Sequence, residues 1–370
     1  MPSQHGTLRI DQPKGEIRPL MIRTAEIKNF RGFESLEISD CKLVNLIVGD
    51  NGVGKTALLE ALHLPGCQSP GKALGFRVNR GFTPEIAVSG TQEEIERTLW
   101  GELFYDFDLA KIVSLNLIGD DGDSRELTIA RSERPTIVPL QSAVQGAVAP
   151  LAFRFAGPGE RKIEFSVAVG EKGLSIDPPD GPQVRPSGHF FSVSPNYTVE
   201  DVSRRYSALR KLGLSDEFDE HYLRLFPWLS DISVEWHGGA WVLHARTSKG
   251  GQIMPLNLIS HGTTRVAAIL VSMPLAAGGS VMIDEIDGGL YYERMPAVWR
   301  SLIHYAKTHR VQLFASTHSK ECLQALATAA GEDFSDIALW RLSRGETQPE
   351  FKAFSGKQLL GGIERGVEPR

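Results

Sequence analysis

The stretch LVNLIVGDNGVGKTALLEAL, residues Leu43 to Leu62, decides the fold. An apolar run enters a glycine-rich turn, which ends in Gly54-Lys55-Thr56 and continues as an apolar helix. Glycines let consecutive backbone N–H groups point towards phosphate oxygens, and the N-terminus of the following helix adds a favourable partial charge. The stretch therefore predicts a strand, a phosphate-binding loop and a helix.

The loop matches G-x-x-x-x-G-K-[ST], the pattern of nucleotide-binding phosphate loops. We expect Lys55 to bridge the β- and γ-phosphates of ATP and Thr56 to offer its hydroxyl to Mg²⁺. The strand before the loop and the helix after it are the context that a chance match would lack. The candidate nucleotide-binding residues of the loop are Gly49, Asp50, Asn51, Gly52, Val53, Gly54, Lys55, Thr56 and Ala57.

Two carboxylates follow the apolar run SVMI, at the end of a predicted buried strand. We expect Asp284 to hold Mg²⁺ through water and Glu285 to polarise the attacking water. A solvated strand end is the alternative for such a pair. The phosphate loop in the same chain favours the metal-binding and catalytic roles.

Two further candidates lie at element ends. His318 follows a Ser-Thr pair at the end of the apolar strand VQLFAST, where we expect it to contact the γ-phosphate and act with Glu285 and Lys55. The sequence SHG, from Ser260 to Gly262, stands just ahead of an apolar helix. Small and hydroxyl residues at a helix start favour a second anion site, with a plain helix cap as the alternative.

The pattern of elements predicts an α/β fold. Apolar strands interleaved with helices indicate a mostly parallel central sheet that binds ligand at the carboxyl ends of its strands. Alternating segments in TLWGELFYDF (98–107), RELTIARS (125–132) and RKIEFSVAV (161–169) predict an antiparallel β layer. A helical insert is predicted from a capped start at Thr198 to Asp201, with Gly213 ending the first helix and a second running from Ser215 to about Pro227.

The domain organisation follows from these elements. We predict a polar leader at residues 1–20 and a single ATPase domain over residues 21–370. Its nucleotide-binding lobe would combine residues 21–95 with 255–370, around an intervening β and helical section at 96–254.

Composition excludes few classes of function. A net charge of -5 gives no overall electrostatic case for nucleic acid, although a local basic patch is compatible with it. The 3 cysteines are widely scattered, which predicts reduced thiols and no structural zinc. We find neither an apolar run of membrane-spanning length nor a signal sequence, so we expect a cytoplasmic protein without membrane contact.

The order of the motifs resembles the head of ABC-type ATPases. Within that superfamily, IKNFRGFESLEI followed by the phosphate loop is similar to the RecF/SMC and OLD-like branch. The segment DEIDGGLYYERMPAVWRSLIHYAKTHRVQLFASTHSKECLQAL (284–326) is similar to OLD-like AAA-type ATPases. The resemblance is strong over residues 22–64 and 255–330. OLD-type nucleases carry a Toprim domain after this head, and we expect none here because the chain ends near where the head ends.

The resemblance implies an ATP-dependent homodimer with Mg²⁺ as cofactor. Two heads would enclose two nucleotides, each held by Lys55 and Thr56 of one chain and by Ser260 and Gly262 of the other. Asp287, just after the catalytic carboxylate, would lie at the dimer seam.

Some positions differ from the family pattern or are unassigned. Arg31 is a candidate to approach the phosphates, with a buried structural role as the alternative. His261 replaces a small or acidic residue and is expected to weaken or retune the contact with the partner chain. After the carboxylates, GGLYY (288–292) replaces the Leu-His-Pro that is usual in the family. The Mg²⁺-sensing Gln is not placed, since neither Gln141 nor Gln145 has a supporting pattern.

Two functions are compatible with this reading. The first is an ATP-gated scaffold or sensor that controls a separately encoded effector, a nuclease or toxin, as in phage-defence ATPases of this branch. The second is a DNA-maintenance ATPase that grips DNA when the heads close. The sequence favours the first, because we expect no effector domain after the head and no basic run supports DNA.

Overall fold

The computed structural model describes residues 20–79, 91–120, 122–132, 136–137, 147–157, 162–170, 173–178, 188–193, 196–248, 251–355 and 358. The predicted leader before Leu20 and the two glutamines Gln141 and Gln145 lie outside the described residues. Within the described part of the chain, no helix combines the length and apolarity needed to cross a bilayer.

Among the described residues, the first two strands pair antiparallel as a hairpin, and so do the last two. The strands are β1 (Ile22–Phe30), β2 (Phe33–Ile38), β3 (Val44–Val48), β4 (Val113–Gly119), β5 (Ser124–Arg131), β6 (Thr136–Ile137), β7 (Ala147–Val148), β8 (Leu151–Ala156), β9 (Ile163–Gly170), β10 (Gly173–Asp177), β11 (Gly188–Phe191), β12 (Leu229–His237), β13 (Ala240–Thr247), β14 (Ile253–Pro255), β15 (Ser280–Ile283), β16 (Gln312–Thr317), β17 (Ile337–Ser343) and β18 (Glu350–Ser355).

The α-helices fall between these strands. They are α1 (Lys55–His63), α2 (Pro70–Asn79), α3 (Gln92–Trp100), α4 (Val199–Leu212), α5 (Ser215–Leu225), α6 (Leu256–Ile259), α7 (His261–Ser272), α8 (Met295–His309) and α9 (Lys320–Ala330). The predicted helical insert is confirmed. Thr198 and Asp201 form a capping box at the start of α4, and Gly213 ends that helix in the left-handed conformation.

A mostly parallel sheet lies at the centre of the fold, as predicted. Its strand order is β11-β15-β16-β3-β17-β18. The neighbours from β11 to β17 pair in parallel, and only β18 runs antiparallel to its neighbour. Because parallel strands end at one edge, the phosphate loop after β3, the carboxylates after β15 and the histidine after β16 are brought together.

Apolar side chains cover both faces of this sheet, and the alternation along each strand decides which core they enter. Val281 and Ile283 of β15 pack with the helices α4, α5, α7, α8 and α9. Met282, between them, points to the opposite face, where α1 and the antiparallel sheet supply the core. A strand buried on both faces reads as a continuous apolar run, which explains SVMI.

An antiparallel sheet forms the second β layer, with the order β10-β9-β8-β5-β4-β1-β2. The side-chain amide of Gln312 connects the two sheets. It accepts a hydrogen bond from the backbone N–H of Ile22 at 2.8 Å and donates to the carbonyl of Ile22 at 2.7 Å. This buried amide fixes the position of β1 relative to β16.

One predicted β segment is wrong. TLWGELFYDF begins inside α3 and continues through short 3-10 turns, rather than forming a strand. Thr91 and Glu94 form a capping box, and Ile95 and Leu99, four residues apart, are buried on one face of the helix. The upstream cap and the helical spacing therefore override the short alternation that starts at Thr98. The strands predicted at RELTIARS and RKIEFSVAV are present as β5 and β9.

Candidate nucleotide-binding and hydrolysis site

The phosphate loop connects β3 to α1, and its glycines are required by the backbone. Gly49 and Gly54 have positive φ angles of 150° and 99°. A Cβ on Gly49 would lie 2.2 Å from the carbonyl oxygen of Leu342 on β17, far inside van der Waals contact. Gly54 stands at the N-cap of α1 in the left-handed conformation. The loop therefore passes close under β17 and turns sharply into the helix.

Lys55 folds back over this loop. Its Nζ donates to the carbonyl oxygens of Gly49 at 2.8 Å and of Asp50 at 2.9 Å, and the residue is only 7% exposed. Burial lowers the pKa of the Lys55 ammonium, while the carboxylates of Glu285 and Asp284 favour its charged form. A phosphate beside Nζ would add negative charge and offset the cost of burial. The loop thus holds a cation that gains from an anionic ligand.

Asp284 joins the phosphate loop to the central strands. Its carboxylate accepts hydrogen bonds from the hydroxyl of Thr56 at 2.7 Å and from that of Ser316 at 2.6 Å, and the residue is 3% exposed. A hydroxyl and a carboxylate are oxygen ligands that Mg²⁺ prefers. The described residues contain no group of three His, Cys, Asp or Glu side chains that would enclose a metal. The donor set therefore fits a Mg²⁺ that takes its other ligands from phosphate and water.

Glu285 and His318 lie side by side, just after the carboxyl ends of the neighbouring strands β15 and β16. The Nδ1 of His318 is 3.7 Å from Oε1 of Glu285, and both side chains are partly exposed. Glu285 has a φ of 47°, which is unusual for a residue with a side chain, and its backbone N–H donates to the Ser316 hydroxyl at 2.9 Å. The backbone is thus fixed while the carboxylate faces solvent, as a group that activates water requires.

A cleft of about 300 Å³ borders the loop and His318. Lys320 and Arg341 also line this cleft, so two more cations lie beside the part of the loop from Gly49 to Asn51. Neither cation was identified from the sequence, because β17 and the start of α9 carry no phosphate-binding pattern.

The SHG sequence forms the start of α7. Ser260 is exposed and caps the helix by accepting a hydrogen bond from the N–H of Thr263 at 3.4 Å. Gly262 is buried, and a Cβ on it would lie 2.2 Å from the carbonyl oxygen of Gly289. The helix start therefore packs against the turn at Gly288-Gly289, which follows Asp284 and Glu285. Gly289 itself has a φ of 76°, and a Cβ on it would lie 3.0 Å from Nδ1 of His261, which gives a physical reason for glycine at this position.

Arg31 forms a buried ion pair, which is the structural role given above as the alternative to a phosphate contact. Its Nε lies 2.6 Å from Oε2 of Glu60 on α1, and the two side chains are 6% and 2% exposed. The guanidinium also donates to the carbonyl oxygen of Glu102 at 3.1 Å. Arg31 thus ties the β1–β2 turn to the phosphate-loop helix, and its contact with phosphate stays a prediction. Asp287 accepts a hydrogen bond from the Thr317 hydroxyl at 2.6 Å, and its place at a dimer seam also stays a prediction.

Two further residues, beside Asp284 and Glu285, were not identified from the sequence. Ser316 donates to Asp284 and accepts from the N–H of Glu285, so one hydroxyl holds both carboxylate positions. The Ser-Thr pair ahead of His318 was its only signal. Arg265 donates to the carbonyl oxygens of Asp284 at 2.6 Å and of Glu285 at 3.2 Å. Nothing local in the sequence of α7 indicates this contact.

Replacing Lys55 by Ala tests the loop directly. Hydrogen bonds to charged groups contribute about 1.5–3 kcal/mol each, so we expect the Kd for ATP to rise on the order of 100-fold. Equilibrium binding of a fluorescent ATP analogue measures the change. Lys42→Ala removes a partly exposed lysine that pairs with Asp40 and serves as the control, with affinity unchanged. Wild-type affinity in Lys55→Ala would contradict the assignment of the loop.

Two family models match the segments that carry these residues. The model described as "AAA ATPase domain" matches residues 21–75, which include the phosphate loop. The model described as "AAA domain, putative AbiEii toxin, Type IV TA system" matches residues 160–323, which include the carboxylates and the histidine.

Two kinds of protein are among the relatives of this chain. An ATP/GTP phosphatase from Helicobacter pylori is 21% identical over 346 residues, covering 83% of this chain and 87% of that protein. The DNA replication and repair protein RecF from Idiomarina loihiensis is 41% identical over 69 residues, and that from Stenotrophomonas maltophilia is 40% identical over 63. These matches cover 17% of this chain and only 20% and 16% of the two RecF proteins.

Solved structures of SMC heads are also similar. The SMC head domain from Thermotoga maritima has 14% identity and a TM-score of 0.46, covering 90% of this chain and 99% of that one. An Smc head with an extended coiled coil, bound to the C-terminal domain of ScpA and derived from Pyrococcus furiosus, has 12% identity and a TM-score of 0.48, covering 94% and 99%. The two ATPase-domain models and the geometry of the phosphate loop and carboxylates show that the chain is an ATPase, and over 17% of its length it is similar to RecF.

Proposed function

We propose that this chain is an ATP-driven dimeric switch. Two copies close around two MgATP molecules, and hydrolysis lets them separate again. The closed dimer controls a separately encoded effector, a nuclease or a toxin, and phage defence is the setting we propose. The observation that carries the dimer is the exposed helix start at Ser260. Within the described residues, its side chain bonds to its own helix and leaves a face for a second chain.

Each residue of the site has a step in this cycle. Lys55 exchanges the carbonyl oxygens of its loop for the β- and γ-phosphates. Thr56, with its hydroxyl, and Asp284, through water, would hold Mg²⁺, which would supply positive charge to neutralise the phosphates. Glu285 accepts a proton from the attacking water, and His318, 3.7 Å away, orients the carboxylate and contacts the γ-phosphate. Ser260 and the start of α7 complete the site of the partner chain.

The effector role is supported by the distribution of similarity. A relative that aligns along most of both chains, the ATP/GTP phosphatase, is named for nucleotide hydrolysis, and the match covers 83% of this chain. The RecF matches, which favour a DNA-maintenance ATPase as the second candidate, are confined to 17% of it. The net charge of -5 likewise gives DNA no overall attraction.

Glu285→Gln tests closure around ATP. The amide keeps the shape of the side chain but cannot accept the proton, so we expect hydrolysis to slow by about 100-fold or more while ATP stays bound. Size-exclusion chromatography with light scattering in MgATP should then show a dimer. Glu332→Gln, at an exposed glutamate, is the matched control and should turn over normally. A Glu285→Gln protein that binds MgATP and remains monomeric rules out the dimer.

Phosphate release with and without duplex DNA separates the two biological roles. We expect wild-type release from MgATP to be unchanged by DNA at low salt, where contacts with DNA phosphates are strongest. Lys55→Ala supplies the blank. Stimulation by DNA would overturn the effector role in favour of DNA maintenance, and it would leave the ATPase assignment intact.

A further inference from the structure

Arg265 connects the start of α7 to Asp284 and Glu285, which follow β15. It lies one helical turn after Gly262 and is 1% exposed. Its guanidinium donates to four carbonyl oxygens at the ends of two neighbouring strands. These belong to Ser192 at 2.8 Å, Val193 at 3.2 Å, Asp284 at 2.6 Å and Glu285 at 3.2 Å. A buried cation with this set of acceptors fixes the helix against both strand ends.

The backbone of Glu285 depends on such contacts. Its φ of 47° lies in the left-handed region, which residues with a side chain occupy only where neighbouring groups hold them. Ser316 accepts from its N–H, while Arg265 and the N–H of Gly288 donate to its carbonyl oxygen, the latter at 2.9 Å. Arg265 is thus one of three groups that set the direction in which the carboxylate points.

Besides Arg265, Gly262 also connects α7 to the catalytic segment. This buried glycine packs on the carbonyl of Gly289, in the turn that follows Glu285. Any displacement of the start of α7 therefore reaches the catalytic segment through both the turn and the guanidinium. Burial lowers the pKa of Arg265, and the nearby carboxylates of Asp284, Asp287 and Glu285 oppose that shift.

We infer that Arg265 is a positioning residue that couples the two ATP sites of the dimer. The inference rests on the proposed function, in which the start of α7 contacts the partner's nucleotide while Glu285 of the same chain acts on its own. When Ser260 engages the partner's ATP, α7 moves as one helix and Arg265 carries the movement to Glu285. Hydrolysis at one site then depends on occupancy of the other.

Arg265→Lys tests this coupling. Lysine keeps the charge but lacks the planar fork that reaches both strand ends. We expect the Kd for ATP to stay within about threefold of wild type, because the phosphate loop is untouched. We expect kcat to fall on the order of 100-fold, as for a misplaced catalytic group. The Hill coefficient of phosphate release against ATP concentration should exceed 1 in the wild type and fall to about 1 in the variant.

Arg205→Lys is the matched control. Arg205 donates to the Ser272 hydroxyl at 2.7 Å, at the other end of α7, and none of its described hydrogen bonds reaches the carboxylate strand. It should leave both kcat and the Hill coefficient unchanged. If Arg265→Lys does not fold, Arg265→Gln, which keeps a planar donor, is measured with the same readouts.

The outcomes separate this inference from the function on which it rests. A folded Arg265 variant with wild-type kcat and Hill coefficient overturns the inference and leaves the dimer standing. A loss of ATP affinity equal to the loss of kcat also overturns it, since the effect is then structural. A Hill coefficient of 1 in the wild type overturns the coupling, and a monomeric Glu285→Gln protein in MgATP shows that the dimer itself has failed.

Discussion

The carboxylate of Asp284 accepts hydrogen bonds from Thr56 and Ser316, and the site is built around these two contacts. The first joins the phosphate-loop helix to β15, and the second joins β15 to β16. Because Asp284 is 3% exposed, an unbonded carboxylate there would carry a large desolvation cost. The two hydroxyls therefore hold the phosphate loop against the ends of β15 and β16, and the remaining groups of the site are arranged around Asp284.

The same edge of the sheet connects the site to the surface where we propose that a second chain binds. Gly262 rests on the turn after Glu285, and Arg265 holds the carbonyl of Glu285 itself. In the dimer that we propose, these contacts would let each site respond to the nucleotide bound at the other, because packed backbone and a buried guanidinium have little freedom to absorb a displacement.

How much was predictable follows from the range of each interaction. The phosphate loop, the strand before Asp284 and the capped start of α4 were predicted because their signals are local patterns, and the α/β class with a mostly parallel sheet is confirmed. TLWGELFYDF was wrongly predicted as β because its cap lies upstream at Thr91. The contacts of Arg265 could not be predicted from local sequence patterns, since its acceptors are 19 to 73 residues away in sequence. The roles of the site residues stay predictions that geometry now makes specific.

Adding Ser260→Asp to the Glu285→Gln variant tests the shared site most directly. Aspartate keeps a good helix cap at the start of α7 while placing a negative charge where the partner's γ-phosphate would lie. We predict that the double variant binds MgATP as tightly as Glu285→Gln alone, because its phosphate loop is untouched, and that light scattering shows a monomer where Glu285→Gln alone is a dimer. A double variant that still dimerises in MgATP would contradict the account.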